Sequence, residues 1–378
     1  MKQFIRNLLF SFILRRRYRN STKMFERYYS RIISYNNIRK PEKNRYFNEW
    51  LQKWSVFGYK PTHLGWQAFL PYMNENVNFV PNDVARNFIE PILIPDAYQP
   101  FYNDKNSFGL FLDKDWMPKT YFRSINGLLY DENYNAVHES DFMDLFNNVD
   151  KLVVKPAKDM GGTGVALFKR SGKIFLDDGN NELSLQYLRK IYGSDYIIQE
   201  CIEQNEYMAQ FNPSSVNTIR IATYRNIKTG EIHIMGAVLR IGAKGAFVDN
   251  ISSGGLSIFI DENGKLNKYL RDKYGKTRTI HNDIDFANEE FIIPNFDKVK
   301  QFVIEVAKRM PHMSLFANDV TIDTKGNPRL IEVNTTMISY SPYQYNGVPF
   351  FGEYTDDLIE HCLKENKKIK PSIFLKYN

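Results

Sequence analysis

Cysteine and histidine are scarce in this chain of 378 residues: Cys201 and Cys362 stand far apart, and only six histidines are present. With no second Cys or His at metal-ligand spacing, neither a disulfide framework nor a zinc site is expected, and a reducing cytoplasm is the default compartment. His63, His138, His233, His281, His312 and His361 fall into no triad spacing, so no covalent enzyme nucleophile is indicated. Internal repeats and low-complexity tracts are lacking. No apolar run is long enough to cross a bilayer.

What is present is a folded-protein composition, 43% hydrophobic and 15% aromatic, in a chain long enough for two or three subdomains around a cleft. The formal charge of +7 is unevenly spread, because residues 1–45 hold 13 Lys or Arg against Glu26 and Glu42. The body is therefore mildly acidic and the basic character belongs to one arm. That arm has an apolar run, Leu8 to Leu14, followed by Arg15, Arg16 and Arg17. A secretory signal has its charges before the apolar stretch and small residues after it, so this reads instead as a helix basic on one side and apolar on the other. Two roles stay open for it: peripheral attachment to an anionic membrane at the inner face, or packing on its own domain. No nucleic-acid recognition motif accompanies the charge, so no nucleic acid is expected as a partner.

Four segments are expected: the arm (1–45), an amino-terminal subdomain (46–112), a main domain (113–365) and a carboxy-terminal tail (366–378). Prolines 61, 71, 81, 91, 95 and 100 interrupt any helical period between Tyr46 and Leu112, and short strands and turns are expected there, as in "EPILIPD". From Lys151 the text reads as strands in "KLVVKP" and "DYIIQECI", with a helix between them in "NELSLQYLRKIY". Paired strands follow in "TIRIATYRN" and "EIHIMGAVLRI", then a helix in "FDKVKQFVIEVAKRM" and a hairpin in "LFANDVTIDTKGNPRLIEVNTT". Elements mix without strict alternation, which favours an α+β fold with an antiparallel sheet.

The hairpin carries oxygen-bearing side chains in apolar text. Glu332 and Asn334 share a face at period two, and the turn folds Asp319 back beside them. Such a set suits Mg2+, which prefers carboxylate and carbonyl oxygen and completes its shell with water and substrate phosphates. Ordinary solvent-facing strand residues are the alternative. Upstream, Lys155 ends an apolar strand before Pro156, and Gly161, Gly162 and Gly164 follow in a loop whose N–H groups can approach phosphate. No Gly-Lys-Ser/Thr follows, so this is not the Walker pattern.

In order and spacing, Lys114 in "LDKDWM", "VVKPAKDMGGTGV", "YIIQECI" and "NDVTIDTKGNPRLIEVNTT" resemble the ATP-grasp superfamily. Together with "FNPSSVNTIRIATYR" and "VLRIGAKGAFVDNISSGG", they resemble within it the sugar-transfer-associated ATP-grasp family, to which the teichuronopeptide-type enzymes are related. The resemblance spans about residues 112–360 and leaves residues 1–111 unexplained. It implies that ATP binds between two α+β subdomains. Lys114 and Lys155 match the lysines on the α- and β-phosphates, and the loop from Gly161 to Gly164 matches the lid above them. Gln199, Glu200 and Ile202 fall on the strand at the adenine edge. Glu206, slightly preferred to Glu203, matches the ribose carboxylate, and Asp319, Glu332 and Asn334 match the metal ligands.

Asn217, Arg220 and Arg240 are expected to face the γ-phosphate and the reacting carboxyl group, since a guanidinium grips phosphate or carboxylate with two bonds; for each arginine a surface ion pair is the plain alternative. Lys244, Asp249, Asn250, Gly254 and Gly255 suggest a mobile cover, the alternative being an inert hairpin connection. The resemblance implies ATP-dependent ligation of an amino acid or amine to a uronic-acid carboxyl through an acyl phosphate, in capsular or other surface polysaccharide synthesis. A phosphotransferase acting on a sugar or lipid-linked hydroxyl is the rival reading.

Overall fold

The computed structural model describes residues 2–42, 44–73, 75–158, 164–251, 254–336 and 338–366. Apolar β-branched runs close into two antiparallel sheets. The smaller contains β1 (Thr120–Ile125), β2 (Leu128–Tyr130), β3 (Lys151–Pro156), β4 (Ala166–Ser171), β5 (Ile174–Leu176) and β6 (Tyr196–Glu200), in the order β2-β1-β6-β3-β4-β5. Between β5 and β6 runs the helix Leu185–Tyr192, which starts where the Ser184 side chain accepts from the Tyr187 N–H.

The larger sheet contains β7 (Thr218–Arg225), β8 (Ile232–Ile241), β9 (Leu256–Ile260), β10 (Leu266–Arg271), β11 (Thr277–Arg278), β14 (Leu315–Ile322) and β15 (Pro328–Asn334). Their order is β11-β10-β9-β8-β7-β14-β15. Two short strands, β12 (Ile280–His281) and β13 (Ile284–Asp285), pair separately. The β7/β8 turn contains Gly230 and the β14/β15 turn Gly326, each at φ of +76°, a conformation that costs glycine little. The helix Phe296–Lys308 buries Val299, Phe302, Val303 and Val306 against the larger sheet.

Residues 46–112 depart from expectation. They are helical rather than built of short strands: α2 (Arg45–Trp54), α3 (His63–Met73), a continuous run over residues 82–93 whose middle, Ala85–Ile89, is π-helical, and short turns up to Phe111. The prolines explain the difference. Pro81 is an N-cap, Pro100 falls in the first turn of its helix, where the missing N–H costs nothing, Pro71 lies near the end of α3, and Pro91 follows directly on the π-helical stretch Ala85–Ile89. Trp50, Trp54, Trp66 and Phe79 from this region join the core of the larger sheet, whereas Phe122, Phe146, Phe168 and Tyr196 form a second core behind the smaller one.

The amino-terminal arm is one long helix, α1 (Lys2–Tyr35). Its carboxy-terminal half is packed into the larger core through Tyr29 and Ile32. No described helix is long and apolar enough to cross a membrane. The expected tail lies outside the described residues apart from Asn366, which ends the helix Thr355–Asn366.

Candidate functional site

The two sheets face each other across a cleft, and strand register sets what each side presents. Period two sends Ile219 and Ile221 of β7 toward the core and Thr218 and Arg220 the other way. Arg220 pairs with Asp319 on β14, Asp319 with Glu332 on β15, Thr218 with Arg240 on β8, and Ala317 with Asn334. Arginines and acids thus form adjoining rows on one face of the sheet.

Asp319, only 3% exposed, is the hub of these rows. Its carboxylate accepts from Arg220 Nε and Nη2, both at 2.7 Å, from Arg240 Nη1 at 3.0 Å and from Asn334 Nδ2 at 3.2 Å. Burial alone raises a carboxyl pKa, but Arg220 and Arg240 overcome it and hold Asp319 below the usual range. Arg240 also reaches Asp249 at 3.1 Å, and Asp249 in turn accepts from the Thr218 N–H at 3.0 Å and from the Thr218 hydroxyl. Burial, only partly offset by Arg240, raises the pKa of Asp249.

Across the cleft Lys155 ends β3. Burial and the neighbouring Lys105, opposed by Glu332, push its ammonium down to about 8. Lys105 pairs with Glu332 Oε1 at 3.1 Å and is 7% exposed. A cavity of about 140 Å³ is lined by Lys105, Lys155, Thr218, Arg240, Asp319 and Glu332; its wall continues over Val153, Ile331 and the peptide from Glu200 to Ile202.

The second lysine of this cradle is therefore Lys105, which sequence reading missed. Lys114, expected there, lies in an exposed single turn with its ammonium on Asn133. It lines an adjoining, wider cavity of about 910 Å³ with Trp116 and Arg329, which shares Pro118 and Glu200 with the first. Two lysines nine positions apart in irregular text look alike. Each follows an aspartate, and only the fold separates them: the Asp104 side chain accepts from the Asn106 N–H, whereas Asp113 caps nothing.

Other expected residues are placed elsewhere. Asn217 is fully buried on the far face, its amide donating to Met208 O at 2.7 Å and Asn212 O at 3.0 Å, so it braces the loop before β7. Lys244 is exposed and pairs with Asp283 at 2.7 Å. Glu206 is exposed at the start of a short helix capped by Asn205, and Glu203 is exposed beside Lys151; neither lines the cleft. Gln199 is buried and bonded to Thr120 and Pro118, while Glu200 and Ile202 line the cavity with Cys201, which sequence reading had not picked out. Gly161 and Gly162 lie outside the described residues. Gly164 has φ of +75°, and a Cβ there would come within 3.0 Å of Pro156.

The segment between β8 and β9 covers the cavity with Phe247, Val248, Asp249 and Asn250. Its base is pinched, since a Cβ on Gly255 would lie 2.8 Å from Asp249 O and 2.9 Å from Asn250 O.

The oxygen donors fit a hard cation in kind. Asp319, Glu332 and Asn334 bring carboxylate and amide oxygens to adjoining positions, with no sulfur or imidazole among them. No cluster of three or more His, Cys, Asp or Glu forms among the described residues, so phosphates and water would have to complete a shell. Asp319 already accepts four hydrogen bonds, a full complement, and would release one to take a metal.

A family model described as sugar-transfer associated ATP-grasp matches residues 94–353, and the chain belongs to that family. Membership brings the ATP-grasp α+β fold with its ATP site. Among solved structures, the D-alanine–D-alanine ligase of Bacillus anthracis is 14% identical at a TM-score of 0.37, covering 71% of this chain and 69% of its own. That of Coxiella burnetii is 12% identical at 0.39, with 71% and 59% covered. A D-cycloserine synthetase is 12% identical at 0.40, with 72% and 73% covered. No curated protein matches the chain.

Proposed function

We propose that the chain joins an amine, such as an amino acid, to the carboxyl group of a uronic acid through an acyl phosphate, in the cytoplasm, during synthesis of capsular or other surface polysaccharide. One observation carries the reading: Arg220, Arg240, Asp319 and Glu332 stand in adjoining rows opposite Lys105 and Lys155, a charge pattern suited to a polyphosphate. The sugar-transfer description of the family supports a saccharide acceptor, and no residue selects one.

In this reading the adenine lies along Glu200 to Ile202 and the phosphates run between Lys105 and Lys155. Glu332, Asn334 and Asp319 would hold magnesium, which when bound neutralises phosphate charge. Arg240, released from Asp319, would grip the γ-phosphate, and Arg220 keeps Asp319 ionised. The substrate carboxylate oxygen bonds to the γ-phosphorus as its bond to ADP breaks. The amine nitrogen then attacks the acyl carbon, phosphate leaves with the C–O electron pair, and the ammonium proton passes to solvent. Positioning and charge stabilisation suffice, without an enzyme nucleophile.

Hydroxylamine trapping tests the reading. Incubation with ATP and a panel of uronic acids should give a hydroxamate and stoichiometric ADP. Transfer of the γ-phosphate to a hydroxyl with no hydroxamate would establish the phosphotransferase instead.

A further inference from the structure

Among the described side chains of the amino-terminal half of α1, none before Tyr18 joins either core. Tyr18 packs on the larger one, followed by Phe25, Tyr28, Tyr29 and Ile32. Upstream, Phe4, Ile5, Leu8, Leu9 and Phe12 are all between 49% and 67% exposed. Single exposed apolar residues need no explanation, but a group of them on one free helix segment marks a docking surface.

The charge completes the pattern. Phe4, Leu8, Phe12, Arg15, Arg19 and Lys23 succeed one another by steps of three or four, which keeps them on one stripe of a helix, and these three basic residues are exposed. Tyr18, Phe25, Tyr29 and Ile32 lie on another side, the one turned into the core. Apolar and basic groups are thus arranged along the helix, apolar at its tip and basic toward the body, and not on opposite sides as expected from the sequence. Packing on its own domain describes the carboxy-terminal half of the helix, and the exposed stripe describes the rest.

We propose that this stripe docks the protein on an anionic lipid bilayer, with Phe4, Leu8 and Phe12 at the boundary between headgroups and acyl chains and with Arg15 and Arg19, joined by the exposed Arg16 beside the stripe, on lipid phosphates. An apolar insertion and a basic cluster act as two additive signals, which is what stable peripheral binding takes. Nucleic acid would engage the arginines but offer no apolar phase to the phenylalanines. A second copy would confront the stripe's like charges. The inference rests on α1 alone and stands whether or not the chain is a ligase.

Flotation of the full chain with vesicles tests it. Binding is expected to phosphatidylcholine vesicles containing phosphatidylglycerol and not to phosphatidylcholine alone. The triple variants Phe4→Ser/Leu8→Ser/Phe12→Ser and Arg15→Gln/Arg16→Gln/Arg19→Gln should each lower the bound fraction about tenfold or more, with Tm and ATP turnover unchanged. Equal binding by either variant, or equal binding to neutral vesicles, overturns the proposal. So does a concentration-dependent dimer in ultracentrifugation that the serine variant abolishes, which assigns the stripe to a second copy.

Discussion

Asp319 and Glu332 face each other across one strand pair, yet their surroundings set them different tasks. Asp319 is itself buried and neutralises the buried guanidinium of Arg240 and the half-buried one of Arg220, while Glu332 is partly open to the cleft and pairs with one lysine. Removing one member of a buried charge network leaves the others uncompensated, at about 3–5 kcal/mol. Asp319→Asn should therefore lower Tm by several degrees and abolish ligation together, and Glu332→Gln, which takes one carboxylate from the buried Lys105, should abolish ligation with a smaller fall in Tm. Calorimetric melts beside turnover assays check both, and an Asp319→Asn protein as stable as wild type would remove the hub role.

The lysines separate in the same way. Lys105→Ala should weaken ADP binding by about 1.5–3 kcal/mol, the loss of a charge-assisted contact, and Lys114→Ala by no more than a few tenths. Titration calorimetry distinguishes them. Lys155 adds a pH dependence. Its pKa of about 8 in the empty cleft lies below the ordinary lysine value, so the ammonium is present below pH 8 and lost as pH rises through it. Nucleotide affinity should then fall from pH 7 to pH 9. Phosphate in the cleft favours the charged form, so binding near pH 8–9 should take up a proton, measurable in buffers of different ionisation enthalpy. Lys155→Arg should remove this dependence.

At the scale of elements, legibility followed periodicity. β3, β6, β7, β8 and the β14/β15 hairpin are apolar, β-branched runs bounded by turn residues, and each was readable because its pattern has one interpretation. The helices of residues 46–112 were not, because a proline marks a helix start as readily as a break and local text does not say which. Within the site, Arg220, Arg240, Asp319, Glu332 and Asn334 were readable as a group because strand register follows from alternation. Lys105 and the outward placement of Lys244 and Glu206 depend on loop and single-turn geometry, which has no period to read.

The cover between β8 and β9 is the element whose geometry is tightest. Gly255 has carbonyl oxygens of Asp249 and Asn250 where a side chain would begin, and backbone cannot yield as a flexible side chain does. Gly255→Ala should displace Asp249 from Thr218 and Arg240, lowering turnover at least tenfold while leaving the core intact. Equal turnover would show that this closed arrangement is not needed for the reaction.

For the whole molecule, the decisive feature is that two separately packed cores meet along a cleft crossed by few segments. Residues 117–120 and 200–204 carry the chain between the cores; residues 117–120 and Glu200 line the cavity of about 910 Å³, while Pro118 and residues 200–202 line the one beside Lys105 and Lys155, at about 140 Å³ below the roughly 300 Å³ at which ligand sites begin. Phosphates seated between Lys105 and Lys155 would therefore widen the smaller cavity, by lifting the cover, by rotating one core on the other, or by both, and a ligand that reorganises those contacts holds them once bound. Hydrogen exchange separates these motions from the rigid interiors. ADP should slow exchange at residues 200–204 and 243–251 and leave β14 unchanged, since β14 is buried throughout in the free protein. In Lys105→Ala the same protection should appear only at proportionally higher ADP, because the variant changes affinity and not the bound arrangement. Protection confined to 243–251 would assign the opening to the cover alone, and protection reaching 117–120 as well would assign it to movement of one core against the other.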